Sequence, residues 1–181
     1  MRKVVVLEVE DVKERGLSRV HMDLFSRVKD VRILVLLWST DDEVKRARYG
    51  EIVKNYFKDL GASEVVFLEE DDLEMEVKFR EAGIVYLPGG DTEILLGKLN
   101  KNCEVIRKLE NFEGIIIGNS AGAIALSDEG YVYKNGGLVK YKGLGIVNVR
   151  VLVHFEWGQL NKIGDGEIIL LGKNSYVMMA K

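Results

Sequence analysis

Five short runs of β-branched and aliphatic residues, at Lys3–Val9, Val31–Leu37, Glu64–Leu68, Ile84–Leu87 and Gly114–Ile117, are separated by segments with helical spacing. Such runs are apolar at nearly every position, so each strand is expected to be covered on both faces, which in practice means a parallel sheet between helices. The intervening segments predict helices at Leu17–Val28, Asp41–Leu60, Asp72–Ala82, Thr92–Leu99 and Glu104–Leu109. In the second of these, Val44, Ala47, Ile52, Val53, Tyr56, Phe57 and Leu60 form one apolar face. Thr40 and Glu43 have capping-box spacing before it, and Gly61 supplies a stop after it. Beyond residue 120 the texture changes. Gly130–Tyr141 predicts a hairpin around Asn135-Gly136-Gly137, and Ile168–Leu171 with Tyr176–Met179 predicts another around Gly172-Lys173-Asn174. The expected fold class is α/β, a mostly parallel sheet flanked by helices with a short β-hairpin-rich C-terminal part, and 1–181 forming a single domain.

In such a sheet, chemistry belongs at the carboxyl ends of the strands. The fifth run ends in Gly118-Asn119-Ser120-Ala121-Gly122, a G-x-S-x-G sequence between a strand and small, helix-compatible residues. This is the context of a nucleophile elbow, in which a serine sits at a tight turn and flanking glycines provide room that a Cβ would take. A Gly-rich turn that only packs helix on strand would use the same residues. The fourth run leads into Leu87-Pro88-Gly89-Gly90-Asp91-Thr92, which opens on the same sheet edge. There the Gly90 amide, with that of Ala121, can form an oxyanion hole, and Asp91 can serve as a helix N-cap.

A serine hydroxyl needs a general base, and the chain has two histidines. His21 falls in the amphipathic first helix and is expected to be partly exposed. His154 ends the apolar run 149–153, 34 residues past the serine, in a strand-to-loop position suited to catalysis. The net charge of −3, from 26 basic and 29 acidic residues, offers no basic excess for nucleic acid or an anionic membrane. A single cysteine, Cys103, excludes an intramolecular disulfide and a cysteine metal cluster, which suits a reducing cytoplasm. No segment approaches the ~20 apolar residues of a membrane span. Neither a cofactor nor a metal is indicated.

Gly89-Gly90-Asp91-Thr92, then Gly118-Asn119-Ser120-Ala121-Gly122-Ala123, then Lys142-Gly143-Leu144-Gly145-Ile146-Val147 leading to His154-Phe155, resemble the peptidase E and cyanophycinase family of serine peptidases. The resemblance runs from about Leu87 to Phe155 and implies a class I glutamine amidotransferase-like fold with serine in place of cysteine. It implies Ser120 as nucleophile, His154 as base, the amides of Gly90 and Ala121 as oxyanion hole, and a small peptide as substrate. The family's third triad member is an acid after a long helical segment. In this chain only ten residues separate His154 from Asp165, in Ile163-Gly164-Asp165-Gly166. Asp165 is the candidate, with Glu156 and Glu167 as rivals. Arg150 is the only arginine after Ser120, so the family's preference for an N-terminal aspartate, which calls for a paired guanidinium, does not carry over.

The expectation is therefore a serine-type peptidase or dipeptidase acting through a Ser-His-acid triad, with a homodimer left open. Two other readings remain. An α/β-hydrolase-type esterase would use Asp128 or Glu129 as its acid, between serine and histidine in the chain. A catalytically silent amidotransferase-like module would bind a ligand or partner without chemistry.

Overall fold

A computed structural model of the chain describes residues 3–158 and 167–180. The five expected strands form β1 (Val4–Val9), β2 (Arg32–Val35), β3 (Glu64–Phe67), β4 (Ile84–Leu87) and β5 (Ile115–Asn119). They alternate with α1 (Ser18–Ser26), α2 (Glu43–Asp59), α3 (Met75–Glu81), α4 (Thr92–Lys101) and α5 (Cys103–Asn111), and α6 (Ala121–Leu126) follows β5. After α6 come β6 (Glu129–Lys134), β7 (Gly137–Lys142), β8 (Arg150–Val153), β9 (Ile169–Leu171) and β10 (Ser175–Ala180). Among the described residues these make two sheets. One is six-stranded in the order β10-β1-β5-β4-β2-β3, and the other is four-stranded in the order β7-β6-β8-β9. In the larger sheet β1 to β5 are mutually parallel, and only β10 runs antiparallel, on the outer side of β1.

Strand alternation accounts for the double covering. Val5, Leu7, Val9, Leu34, Leu36, Val85, Leu87 and Ile116 point into one core, with Leu95 and Leu99 of α4, Leu109 of α5 and Val151 and Val153 of β8. Val6, Ile33, Val35, Ile84, Tyr86, Ile115 and Ile117 point into the other, with Leu24 and Phe25 of α1 and Val53, Tyr56 and Phe57 of α2. Each such aliphatic side chain, fully removed from water, contributes ~1.5–3 kcal/mol toward offsetting chain entropy.

Three local expectations are corrected. The turn at 172–174 does not close a hairpin: β9 pairs in parallel with β8, while β10 crosses to the other sheet and pairs with β1. The open edge of β1 takes the last strand, and Asn174 N donates to Val9 O at 2.8 Å as that strand begins. Helix α2 is not entered through a Thr40–Glu43 capping box. Its N-cap is Asp42, which accepts from Lys45 N at 3.0 Å, and Val44 in the first turn is left 79% exposed. His21, expected to be partly exposed, is fully buried. The hairpin at 130–141 forms as expected between β6 and β7, with Asn135 and Gly136 both at positive φ as a tight two-residue turn requires.

Candidate active site

The strand order decides which loops meet. Because β1, β5, β4 and β2 are neighbours and parallel, the segments after their carboxyl ends lie side by side. A cavity of about 670 Å³ opens over them, lined among others by Asp11, Ser39, Tyr49, Gly89, Ser120 and His154. Another cavity, of about 520 Å³ beside Leu37, Arg46 and Phe67, lies away from the serine.

Ser120 joins β5 to α6 with φ 51° and ψ −103°, a conformation costly for a residue with a Cβ. The surrounding glycines are dictated by contact. A Cβ on Gly118 would lie 2.6 Å from Gly122 O, and one on Gly122 would lie 2.0 Å from Leu87 O. The turn is held from the other side, where Ser120 N donates to Glu8 O at 2.9 Å. His154, immediately after β8, also takes a positive φ of 56°, and its Nε2 lies 2.7 Å from Ser120 Oγ. The small sheet thus delivers the histidine to the serine on the large sheet. Burial pushes the His154 pKa below 6.5, which keeps the imidazole neutral and able to accept a proton at neutral pH.

On the neighbouring strand, Gly89 and Gly90 pass close to the elbow. A Cβ on Gly89 would lie 3.3 Å from Ser120 Cβ. Gly90 has φ 142°, and a Cβ there would lie 2.3 Å from Ser39 Oγ. The loop is anchored by Ser39, whose Oγ donates to Gly89 O at 2.8 Å and whose carbonyl accepts from Asp91 N at 2.9 Å. Asp91 caps α4, accepting from Glu93 N at 2.8 Å and Ile94 N at 3.1 Å, as expected of a helix N-cap. Among the described residues neither the Gly90 nor the Ala121 amide is taken up by a turn or loop hydrogen bond.

The structure brings Ser120, His154 and Gly90 to one cavity, with Ala121 next in the chain. Asp165 lies outside the described residues. Of its rivals, Glu156 lines a depression shared with His154, whereas Glu167 lines a different one with Asp128 and Arg150. The carboxylates that an α/β-hydrolase order would use are engaged on the hairpin, Asp128 with Lys142 at 2.5 Å and Glu129 with Lys140 at 2.6 Å.

Sequence reasoning missed a second polar group, behind the elbow. Glu8, Glu10 and His21 have fully enclosed side chains, and their nitrogen and oxygen atoms come within 4.8 Å of one another. It is the group of donors among the described residues that could hold a cation, yet hydrogen bonds already occupy it apart from Glu8 Oε1. The signal was present in the sequence: Glu8 and Glu10 repeat at strand spacing on the face of Val6, and His21 precedes Leu24 and Phe25 at helical spacing.

No curated protein matches this chain. Among solved structures, a protein assigned as a peptidase E from Listeria monocytogenes EGD-e aligns with a TM-score of 0.74 at 20% identity, covering 99% of this chain and 95% of its own. A peptidase from an acI-B1 Actinobacterium aligns with a TM-score of 0.68 at 19% identity, covering 99% and 84%. At these identities the likeness is one of fold. The model of Peptidase family S51 matches residues 40–166, a span that contains the glycine loop, the elbow and His154 together, and the chain therefore belongs to that family of peptidases.

Proposed function

We propose that this protein is a serine-type peptidase acting on small peptides, with Ser120 as nucleophile and His154 as general base. The observation that carries the reading is the 2.7 Å contact between Ser120 Oγ and His154 Nε2 at the mouth of a cavity. Ser120 Oγ attacks the scissile carbonyl carbon while its proton passes to His154 Nε2. The carbonyl oxygen, now negative, is received by the amides of Gly90 and Ala121, whose orientation is set before charge develops. As the tetrahedral intermediate collapses the C–N bond breaks, and the leaving amine takes the proton from Nε2. A water molecule then gives its proton to His154 and attacks the acyl ester, and Ser120 is regenerated as the carboxylic acid departs. Asp165 is proposed as the carboxylate that accepts Nδ1–H and stabilises the imidazolium. No step calls for a metal or cofactor, and no helix among the described residues is long and apolar enough to cross a membrane.

A library of unblocked two- to five-residue peptides, incubated with wild type and with Ser120→Ala and read by mass spectrometry, tests this reading. Cleavage by wild type alone supports it. Cleavage by neither protein, with both folded, points to the silent binding module.

A further inference from the structure

Behind the elbow, Glu8 of β1, Glu10 just after it, His21 of α1 and Tyr56 of α2 form a buried chain of hydrogen bonds. His21 Nε2 lies 2.9 Å from Glu8 Oε2, and His21 Nδ1 lies 2.7 Å from the Tyr56 hydroxyl. That hydroxyl lies 3.2 Å from Glu10 Oε1 and 3.3 Å from Glu10 Oε2. Glu10 Oε1 also accepts from Leu17 N at 2.8 Å, and Glu8 Oε1 is buried with no hydrogen-bond partner among the described residues.

Proton counting restricts what this chain can hold. With Glu8 as a carboxylate, Nε2 carries a hydrogen and donates it to Glu8 Oε2. The Tyr56 hydroxyl has one hydrogen, which goes either to Glu10 or to Nδ1. In the first arrangement Nδ1 must carry its own hydrogen, so His21 is an imidazolium and Glu10 a carboxylate. In the second His21 is neutral, and Glu10 must be protonated to donate to Tyr56. Both arrangements contain the same single extra proton. Without it, two enclosed carboxylates face each other and one contact places lone pair against lone pair, a costly state in a medium of low dielectric.

The backbone of the same residues holds the nucleophile. Glu8 O accepts from Ser120 N at 2.9 Å. Asn119, next to the serine, accepts from Glu10 N at 3.1 Å and donates to Glu10 O at 2.9 Å and to the Tyr86 hydroxyl at 3.1 Å. The strained φ of 51° at Ser120 is thus braced by the peptide units whose side chains are tied through Tyr56 and His21.

We propose that Glu8, Glu10, His21 and Tyr56 are positioning residues that share one proton and, while they hold it, clamp the end of β1 against the elbow so that Ser120 stays in its reactive conformation. The consequence for Ser120 rests on its role as nucleophile; the sharing of the proton does not. Burial alone would lower His21, but the charge and hydrogen bond of Glu8, with Glu10 beyond, carry its pKa above 6.5. Burial raises Glu10 as well, against the Leu17 amide bond. The other groups near the cluster are Tyr49 and Tyr86, both pushed upward chiefly by burial, and Arg15, whose guanidinium lies 5.8 Å from the Tyr56 ring centroid and pairs with Asp59. With both folded-state values raised, the native protein binds the proton more tightly than the unfolded chain. For the one shared proton, stability from the cluster is therefore complete below the unfolded histidine value and is lost as pH rises through the raised His21 value.

Two variants test this. Glu10→Gln satisfies Tyr56 with no titrating group at that end, and melting temperature is followed against pH from 6 to 9. Wild type is expected to lose melting temperature above about pH 6.5, the unfolded histidine value, and Glu10→Gln to lose much less. Equal slopes would overturn the shared proton, as would stoichiometric binding of Zn²⁺ or Mn²⁺ by wild type that Glu10→Gln abolishes. Tyr56→Phe cuts the chain by one oxygen. Labelling of its Ser120 by a fluorophosphonate and its kcat should fall by about tenfold or more, with KM within about twofold. Labelling at the wild-type rate would overturn the positioning role. If Tyr56→Phe does not fold, the melting series decides the proposal. If wild-type Ser120 does not label, the peptidase reading fails, and the melting series still tests the shared proton.

Discussion

The two histidines stand on opposite sides of one strand-to-helix turn and are tuned in opposite directions. His154 is carried in by β8 and meets Ser120 at the edge of the cavity. Among the described residues no carboxylate forms an ion pair with it, and burial lowers its pKa. His21 is enclosed between β1, α1 and α2, and although burial acts on it too, two glutamates reverse the effect. Among the described residues burial acts on His154 without a counter-charge, the carboxylate proposed for it lying outside them, whereas the glutamates around His21 make that cluster hold its proton. The first suits the role of general base proposed for His154. The second suits a support that should not change state during turnover.

The comparison breaks most visibly if the wrong histidine proves catalytic. Ser120→Ala and His154→Ala are each expected to lower kcat/KM by about 10⁵–10⁶, because members of such a unit fail together, while their melting temperatures stay close to wild type. His21→Ala should do the reverse in kind. It leaves Glu8 and Glu10 enclosed without the side chain that links them, and removing one partner of a buried charged group costs about 3–5 kcal/mol. A chemical-denaturation curve separates the two classes, and an His21→Ala protein as stable as wild type would contradict the account of the cluster.

Smaller effects sharpen the catalytic side. Asp165→Asn should lower kcat by up to about 10⁴ if this residue sets the imidazole tautomer, and Glu156→Gln should leave kcat near wild type. The opposite pattern would move the acid to position 156. Gly90→Ala combines an unfavourable φ with a Cβ 2.3 Å from Ser39 Oγ, so the loop must shift away from the elbow. A loss of about 10²–10³ in kcat is expected if its amide serves the oxyanion, read from kcat and KM on one cleaved peptide. Unchanged kcat would remove Gly90 from that role.

The same contrast shapes the pH dependence of stability. His154, with its folded-state value lowered, contributes stability that declines as pH falls below 6.5, where the unfolded histidine takes up a proton first. His21 contributes stability that declines as pH rises above 6.5. Melting temperature against pH should therefore be shallower on the acid side in His154→Gln and shallower on the alkaline side in Glu10→Gln. Identical curves for the two variants would erase the distinction between the histidines.

The elbow and the glycine loop were legible because their residues answer to local geometry. Gly118 and Gly122 have no room for a Cβ, and Gly90 needs both a positive φ and the space beside Ser39, so composition at these points reports backbone shape directly. His154 was legible because it follows an apolar strand. The enclosed cluster was legible only in part: Glu8 and Glu10 share the face of Val6, but strand spacing does not say that two carboxylates are enclosed. Their burial depends on a histidine from α1 and a tyrosine from α2, partners that no local window contains. The final strand failed for a similar reason. The turn at 172–174 would serve a hairpin equally well, and what takes β10 away is the vacant edge of β1, more than 160 residues earlier in the chain.

The most direct measurement is the rate of fluorophosphonate labelling of folded protein against pH, with the modified residue located by mass spectrometry. The account predicts a single adduct on Ser120 and a rate that rises with pH through one ionisation below 6.5, that of His154, with both adduct and pH dependence lost in His154→Ala. Absence of labelling in folded wild type, or a rate unchanged by His154→Ala, would contradict it.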